Sequence, residues 1–162
     1  MNISATLSLI PFIAACFIVA LSGAVFRPGE WYEGLAKPAW RPPNWLFGPA
    51  WTVLYICIAV SGWFVWRQVG FTGAPVAMSV YAIQLLLNAG WSACSFGLRR
   101  LDLAFGELIL LWLSIVANIA VFAQISATAM ILLIPYLAWV TFAGVLNFRL
   151  WQMNRVLAER PG

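Results

Sequence analysis

Five apolar runs constrain this chain more than anything else in it, each close to the roughly 20 residues that carry a helix across a bilayer. They fall at about 3–26, 45–66, 76–98, 101–124 and 129–153. One soluble core could not hide them. The chain is 64% hydrophobic and 9% charged, against roughly 45–50% and about 25% in ordinary soluble domains. Lipid is therefore the expected solvent, and the predicted fold is an all-α membrane protein. It is a single domain over residues 1–162, a five transmembrane helix bundle with a structured Trp/Pro-rich loop at 27–44 between the first and second helices. The first run lacks a basic leader and is long for a signal peptide, so it reads as a retained helix.

Charge sets the orientation. The nine basic residues sit at segment ends rather than in a run, and the net charge is only +4, which argues against nucleic-acid binding. Arg27, Lys37, Arg41, Arg99, Arg100, Arg149, Arg155 and Arg160 lie towards one side, and only Arg67 towards the other. The positive-inside rule then places the loop 27–44 and the C-terminus in the cytoplasm and the N-terminus outside.

The stretch from Trp31 to Tyr55, WYEGLAKPAWRPPNWLFGPAWTVLY, is the most unusual part of the chain. Pro38, Pro42, Pro43 and Pro49 remove amide donors and push their predecessors towards extended geometry. Trp31, Trp40, Trp45 and Trp51 make it too aromatic for a disordered linker. It reads as a compact cap that passes into the second helix, with Asn44 as N-cap. Gly70, Gly73 and Pro75 mark 68–75 as a connector.

Periodicity then assigns faces. At about 100° per residue, Tyr81, Gln84, Asn88, Trp91 and Ser95 share a stripe of the third helix, opposite Ala89, Ala93 and Gly97. Amides in hydrocarbon need partners, so the polar stripe faces the bundle interior or a ligand. The small stripe suits close helix contact, either with a second copy in a homodimer or with another helix of the same chain. Ser4, Ser8, Ala15 and Ser22 form a similar small stripe on the first helix. Glu107, Ser114 and Asn118 line one face of the fourth, where Glu107 is read as pairing with a nearby arginine or sitting in the interface. On the fifth, Tyr136, Trp139, Ala143 and Asn147 share a face, and the second adds Trp51 and Tyr55. Together Trp51, Tyr55, Gln84, Asn88, Trp91, Trp139, Ala143 and Asn147 suit a cleft for a large, flat, mostly apolar ligand, with indoles on its faces and amides at its edges. Trp45, Trp63, Trp66 and Trp151 read as an interfacial belt, Trp31 as the inner face of the cap, and Trp40 stays unassigned.

The chain has no histidine, and no Ser/His/Asp, HExxH or CxxC arrangement, which counts against hydrolytic or metal-dependent catalysis. Cys16, Cys57 and Cys94 lie in apolar runs without a pairing pattern and read as small buried hydrophobes. No metal site and no required cofactor are expected.

The pattern W-Y-x-x-L-x-K-P-x-W-x-P-P-x-W-x-F-x-P-x-W-x-x-L-Y over Trp31 to Tyr55 resembles the tryptophan-rich sensory protein family (TspO/MBR), which includes the mitochondrial translocator protein, or peripheral-type benzodiazepine receptor. Gln84 to Ser92 and Pro135 to Asn147 look like its other signatures, and the resemblance covers essentially the whole chain. It implies a five-helix bundle, often dimeric, that binds porphyrins (protoporphyrin IX, or haem) and isoquinoline carboxamide or benzodiazepine-type ligands, with cholesterol binding in animal members. Tyr32, Trp51, Asn88, Trp91, Trp139 and Ala143 match positions of the family's ligand pocket. The proposed sterol motif is imperfect here, with Phe148 where a tyrosine is expected. Without histidine, haem iron has mainly tyrosine to bind in the expected pocket, so metal-free protoporphyrin fits better. The resulting expectation is a membrane receptor or carrier for tetrapyrroles, with porphyrin sensing or oxidative-stress regulation as its role. The alternatives are light- and oxygen-dependent porphyrin breakdown, with Trp31 and Trp139 as candidate reactive indoles, and sterol or lipid translocation.

Overall fold

The computed structural model describes residues 7–158, with side chains as far as Arg155. The predicted start of the first helix at Ile3, Ser4 of its small stripe, and Arg160 lie outside the described residues. Helix α1 spans Ile10–Val25, and the short α2 (Glu30–Gly34) sits in the following loop. Helices α3 (Asn44–Gly73), α4 (Pro75–Ser92), α5 (Leu101–Ala123) and α6 (Ala127–Ala158) follow, and a π-helical segment, Ala93–Gly97, continues α4. Among the described residues these four long helices are apolar enough to cross a membrane, while α1 is equally apolar and shorter. No strand is present among them. The helices pack in a closed ring in which α1 touches α3 and α4, α4 touches α5, α5 touches α6, and α6 returns to α3.

Prolines and glycines set the boundaries. Pro11 and Pro75 occupy first-turn positions of α1 and α4, where a missing N–H costs nothing. Pro43 is extended at φ −63° and ψ 146° and holds the position before α3, so Asn44 is the first helical residue rather than the cap expected from sequence. Its side chain instead accepts a hydrogen bond from Arg41 Nη1 at 3.0 Å. The expected connector at 68–75 is mostly helical. It breaks at Gly70, whose φ of 68° lies in the left-handed region where glycine carries no Cβ penalty, and at Ala74 (φ −142°, ψ 62°), which separates α3 from α4. Asn154 does not open a polar tail. It lies within α6 and clamps the loop: Ala36 N–H donates to Asn154 Oδ1 at 2.9 Å, and Asn154 Nδ2 donates to Ala36 O at 3.0 Å.

Polar and small residues make the close contacts inside the ring. Ser61 Oγ donates to Ala129 O at 2.8 Å, tying α3 to the start of α6. Tyr81 lies flat on α3 at Gly62, where an added Cβ would stand 2.6 Å from the ring, and its hydroxyl donates to Ile58 O at 3.2 Å. Trp63 Nε1 donates to Ser8 Oγ at 2.9 Å, and Trp66 packs 6.1 Å from Phe12. These two indoles make contacts between helices. Trp45 is 71% exposed.

Candidate ligand cavity

The bundle is solid at the α5–α6 turn and hollow at the end bearing the loop. A cavity of about 400 Å³ opens there, within the range of small-molecule sites. Ala20 and Gly23 of α1 form one wall, and Phe47, Gly48, Trp51, Thr52 and Tyr55 of α3 form a second. Asn88, Trp91, Ser92, Ser95 and Phe96 line it from α4 and its π segment, and Ala143, Leu146, Asn147 and Leu150 from α6. Phe26, Pro28 and Tyr32 approach from the loop.

Aromatic contacts order these walls. Trp51 and Trp91 stack at 6.4 Å with 29° between their planes, and Tyr55 lies 5.4 Å from Trp51. Phe96 meets Trp91 edge-on at 5.9 Å and Tyr32 edge-on at 5.5 Å, continuing the series to the loop. The π segment matters here. Its wider turn brings both Ser95 and Phe96 to the cavity, and such insertions recur at functional sites.

Beneath the aromatic wall lies a hydrogen-bonded floor. Tyr55 OH donates to Asn88 Oδ1 at 2.6 Å, while Asn88 Nδ2 and Gln84 Nε2 donate to Tyr136 OH at 2.7 and 2.8 Å. Gln84 and Tyr136 are fully buried, and Gln84 Oε1 has no partner among the described residues. Other polar atoms have no partner among the described residues: Trp91 Nε1, Ser95 Oγ and Asn147 Oδ1, all on cavity-lining residues. Ser95 is 2% exposed and Asn147 5%. A buried acceptor or donor left open costs free energy unless something occupies the site to meet it.

At the mouth, Arg41 Nη1 donates to Asn44 Oδ1, and its guanidinium lies beside Tyr32. Burial pushes the Tyr32 phenol above its ordinary range, and Arg41 beside it offsets part of that rise. Lys37 Nζ sits 5.0 Å over the Tyr32 ring and 3.8 Å from Glu33 Oε2.

Tyr32, Trp51, Tyr55, Asn88, Trp91, Ala143 and Asn147 of the sequence-derived set come together on this cavity. Two others do not reach it. Gln84 lies under the floor, its amide turned to Tyr136. Trp139 packs behind Phe47, edge-on at 5.7 Å, so Phe47 takes the wall position expected for the indole. Trp31 also stays off the lining; it packs with Leu35 and Phe47 around Leu101, Leu146 and Leu150. Trp40 sits edge-on to Phe142 at 5.9 Å. On the small stripe of α4, Gly97 abuts Phe26 of its own chain, where a Cβ would come within 2.9 Å of the ring; Ala89 packs against the core. Among the described residues Glu107 has no arginine partner, and both its oxygens are buried and unpaired. Among the described residues no three His, Cys, Asp or Glu gather as a metal site.

Sequence reading missed the α1 wall, Phe47 and the π segment. Gly48, three residues before Trp51 on the same helix, was the available signal, because a glycine beside large aromatics leaves a hollow.

Long apolar helices around an aromatic cavity define an integral, multi-pass helical membrane protein with a small-molecule-sized site at one end. The TspO/MBR family matches over residues 12–152, and the chain belongs to that family. Protein CrtK of Rhodobacter capsulatus is 39% identical over 93% of each chain. Tryptophan-rich protein TspO of Chlorobaculum tepidum is 40% identical over 88% of this chain and 92% of its own. The human translocator protein is 39% identical over 86% of this chain and 83% of its own.

Proposed function

We propose that this protein is a five-span membrane receptor or carrier that takes a flat tetrapyrrole, protoporphyrin IX foremost, into the cavity among α1, α3, α4 and α6. In this reading α1 is the fifth span, the loop and the C-terminus are cytoplasmic, and loop 27–44 covers the mouth. The observation that carries it is the stacked Trp51–Trp91 wall on a cavity of about 400 Å³. Flat rings stack on the indoles. The metal-free ring fits better than haem: the lining offers no Cys or Met, and of its two tyrosines Tyr55 spends its hydroxyl on Asn88 while Tyr32 sits beside the Arg41 cation. The names of the relatives, tryptophan-rich sensory protein and translocator protein, accord with ligand handling. A homodimer remains part of the reading, through the outward side of α4 where Ile83 and Leu86 are exposed.

The test is a titration of protoporphyrin IX against the detergent-solubilised protein, read as quenching of tryptophan emission. Saturation at one ligand per chain, weakened in a Trp51→Phe, Trp91→Phe variant, is expected. Unsaturating quenching, unchanged in that variant, would mean mere partitioning into the micelle. If porphyrin breakdown in light and air also occurs, the indoles in contact with the ring are Trp51 and Trp91. A product that persists in Trp31→Phe and Trp139→Phe but is lost on replacing Trp51 would assign it.

A further inference from the structure

We infer that Arg41 is the carboxylate anchor of the cavity, so that the site selects flat ligands bearing an acid group at one edge. This rests on the ligand reading above and adds to it the charge class of the ligand. No charged side chain lines the cavity itself, so an anionic group can be met only at the mouth. Arg41 stands there, half-buried, bonded through Nη1 to Asn44 Oδ1 and placed beside Tyr32; both of those neighbours line the cavity. No carboxylate pairs with it: the ion pairs among the described residues are Lys37–Glu33 and Arg100–Asp102.

The backbone reinforces the charge. Helix α3 begins at Asn44, directly under the guanidinium, and has no acidic residue in its first turn to neutralise its positive end. The assignment is thus directional. The ring system lies against the Trp51–Trp91 wall, and its acid group points to the loop, where arginine supplies a forked, charge-assisted hydrogen-bond donor.

The experiment compares protoporphyrin IX with its dimethyl ester, which keeps the ring and removes the charge, against wild type, Arg41→Gln and Arg41→Lys. Wild type should bind the free acid more tightly than the ester. Arg41→Gln should weaken the acid roughly tenfold, the scale of one charge-assisted hydrogen bond at a half-exposed rim, and leave the ester nearly unchanged. Arg41→Lys should recover part of the acid affinity, and added salt should erode that affinity in wild type but not in Arg41→Gln. Equal losses for acid and ester, or no loss for either, would overturn the anchor while leaving the cavity reading intact. Failure of wild type to bind either compound would overturn both.

Discussion

Replacing Tyr136 by Phe removes one oxygen and strands two donors. The hydroxyl accepts from Gln84 Nε2 at 2.8 Å and from Asn88 Nδ2 at 2.7 Å, both across the contact between α4 and α6, and Tyr136 is fully buried. Interhelical hydrogen bonds in membranes average about 0.6 kcal/mol and reach about 1.7, so two of them bracket roughly 1.2 to 3.4 kcal/mol. Neither amide can reach water at that depth, which places the cost in the upper half, about 2–3 kcal/mol. Tyr55→Phe is the internal comparison. It removes a single bond, to Asn88 Oδ1, at the cavity wall where solvent can substitute, and should cost about 0.6–1 kcal/mol. Reversible unfolding by a denaturing detergent in mixed micelles, followed by tryptophan emission, measures both. Adding Gln84→Leu to Tyr136→Phe should recover part of the loss, because one stranded donor disappears. A Tyr136→Phe protein as stable as wild type, or no less stable than Tyr55→Phe, would refute the idea that this floor holds the helices together.

Other consequences follow from single contacts. Gly62→Ala should cost about 1–3 kcal/mol in the same unfolding assay, since the new methyl would stand 2.6 Å from the Tyr81 ring and the ring cannot shift without losing its bond to Ile58. Asn154→Ala removes both halves of the clamp on Ala36, so hydrogen exchange at the loop amides should rise by roughly tenfold or more while the bundle helices stay protected. Because folding raises the Tyr32 phenol above its unfolded value, the native state holds its proton where the unfolded chain has lost it. Thermal stability should therefore fall as pH climbs past about 10, and Tyr32→Phe should flatten that slope.

Much of the architecture was written in the apolar runs. Four of them became helices long enough to span, and the stripe from Tyr81 to Ser95 turned inward because amides have nowhere else to go in hydrocarbon. What periodicity could not resolve was rank among aromatics on one face. Trp139 and Phe47 belong to different helices, and only their packing decides which ring reaches the cavity. The π segment and the Asn154 clamp were hidden for related reasons. A five-residue widening leaves no compositional mark, and a bond between residues 118 positions apart leaves no local one. The break at Gly70 was anticipated by its glycine but overextended, since α-helical geometry continues on both sides of it.

The cavity is the centre of the account, and filling it is the most direct measurement. Gly48 lines the wall, and a Cβ there would meet no atom within 4 Å, so Gly48→Phe projects a ring into the hollow without straining the helix. Protoporphyrin IX titrations of wild type and Gly48→Phe, with thermal unfolding as the check on folding, should show saturable quenching in the first and its loss in the second at unchanged stability. A stable Gly48→Phe protein that binds as wild type does would contradict the claim that the ligand occupies this cavity.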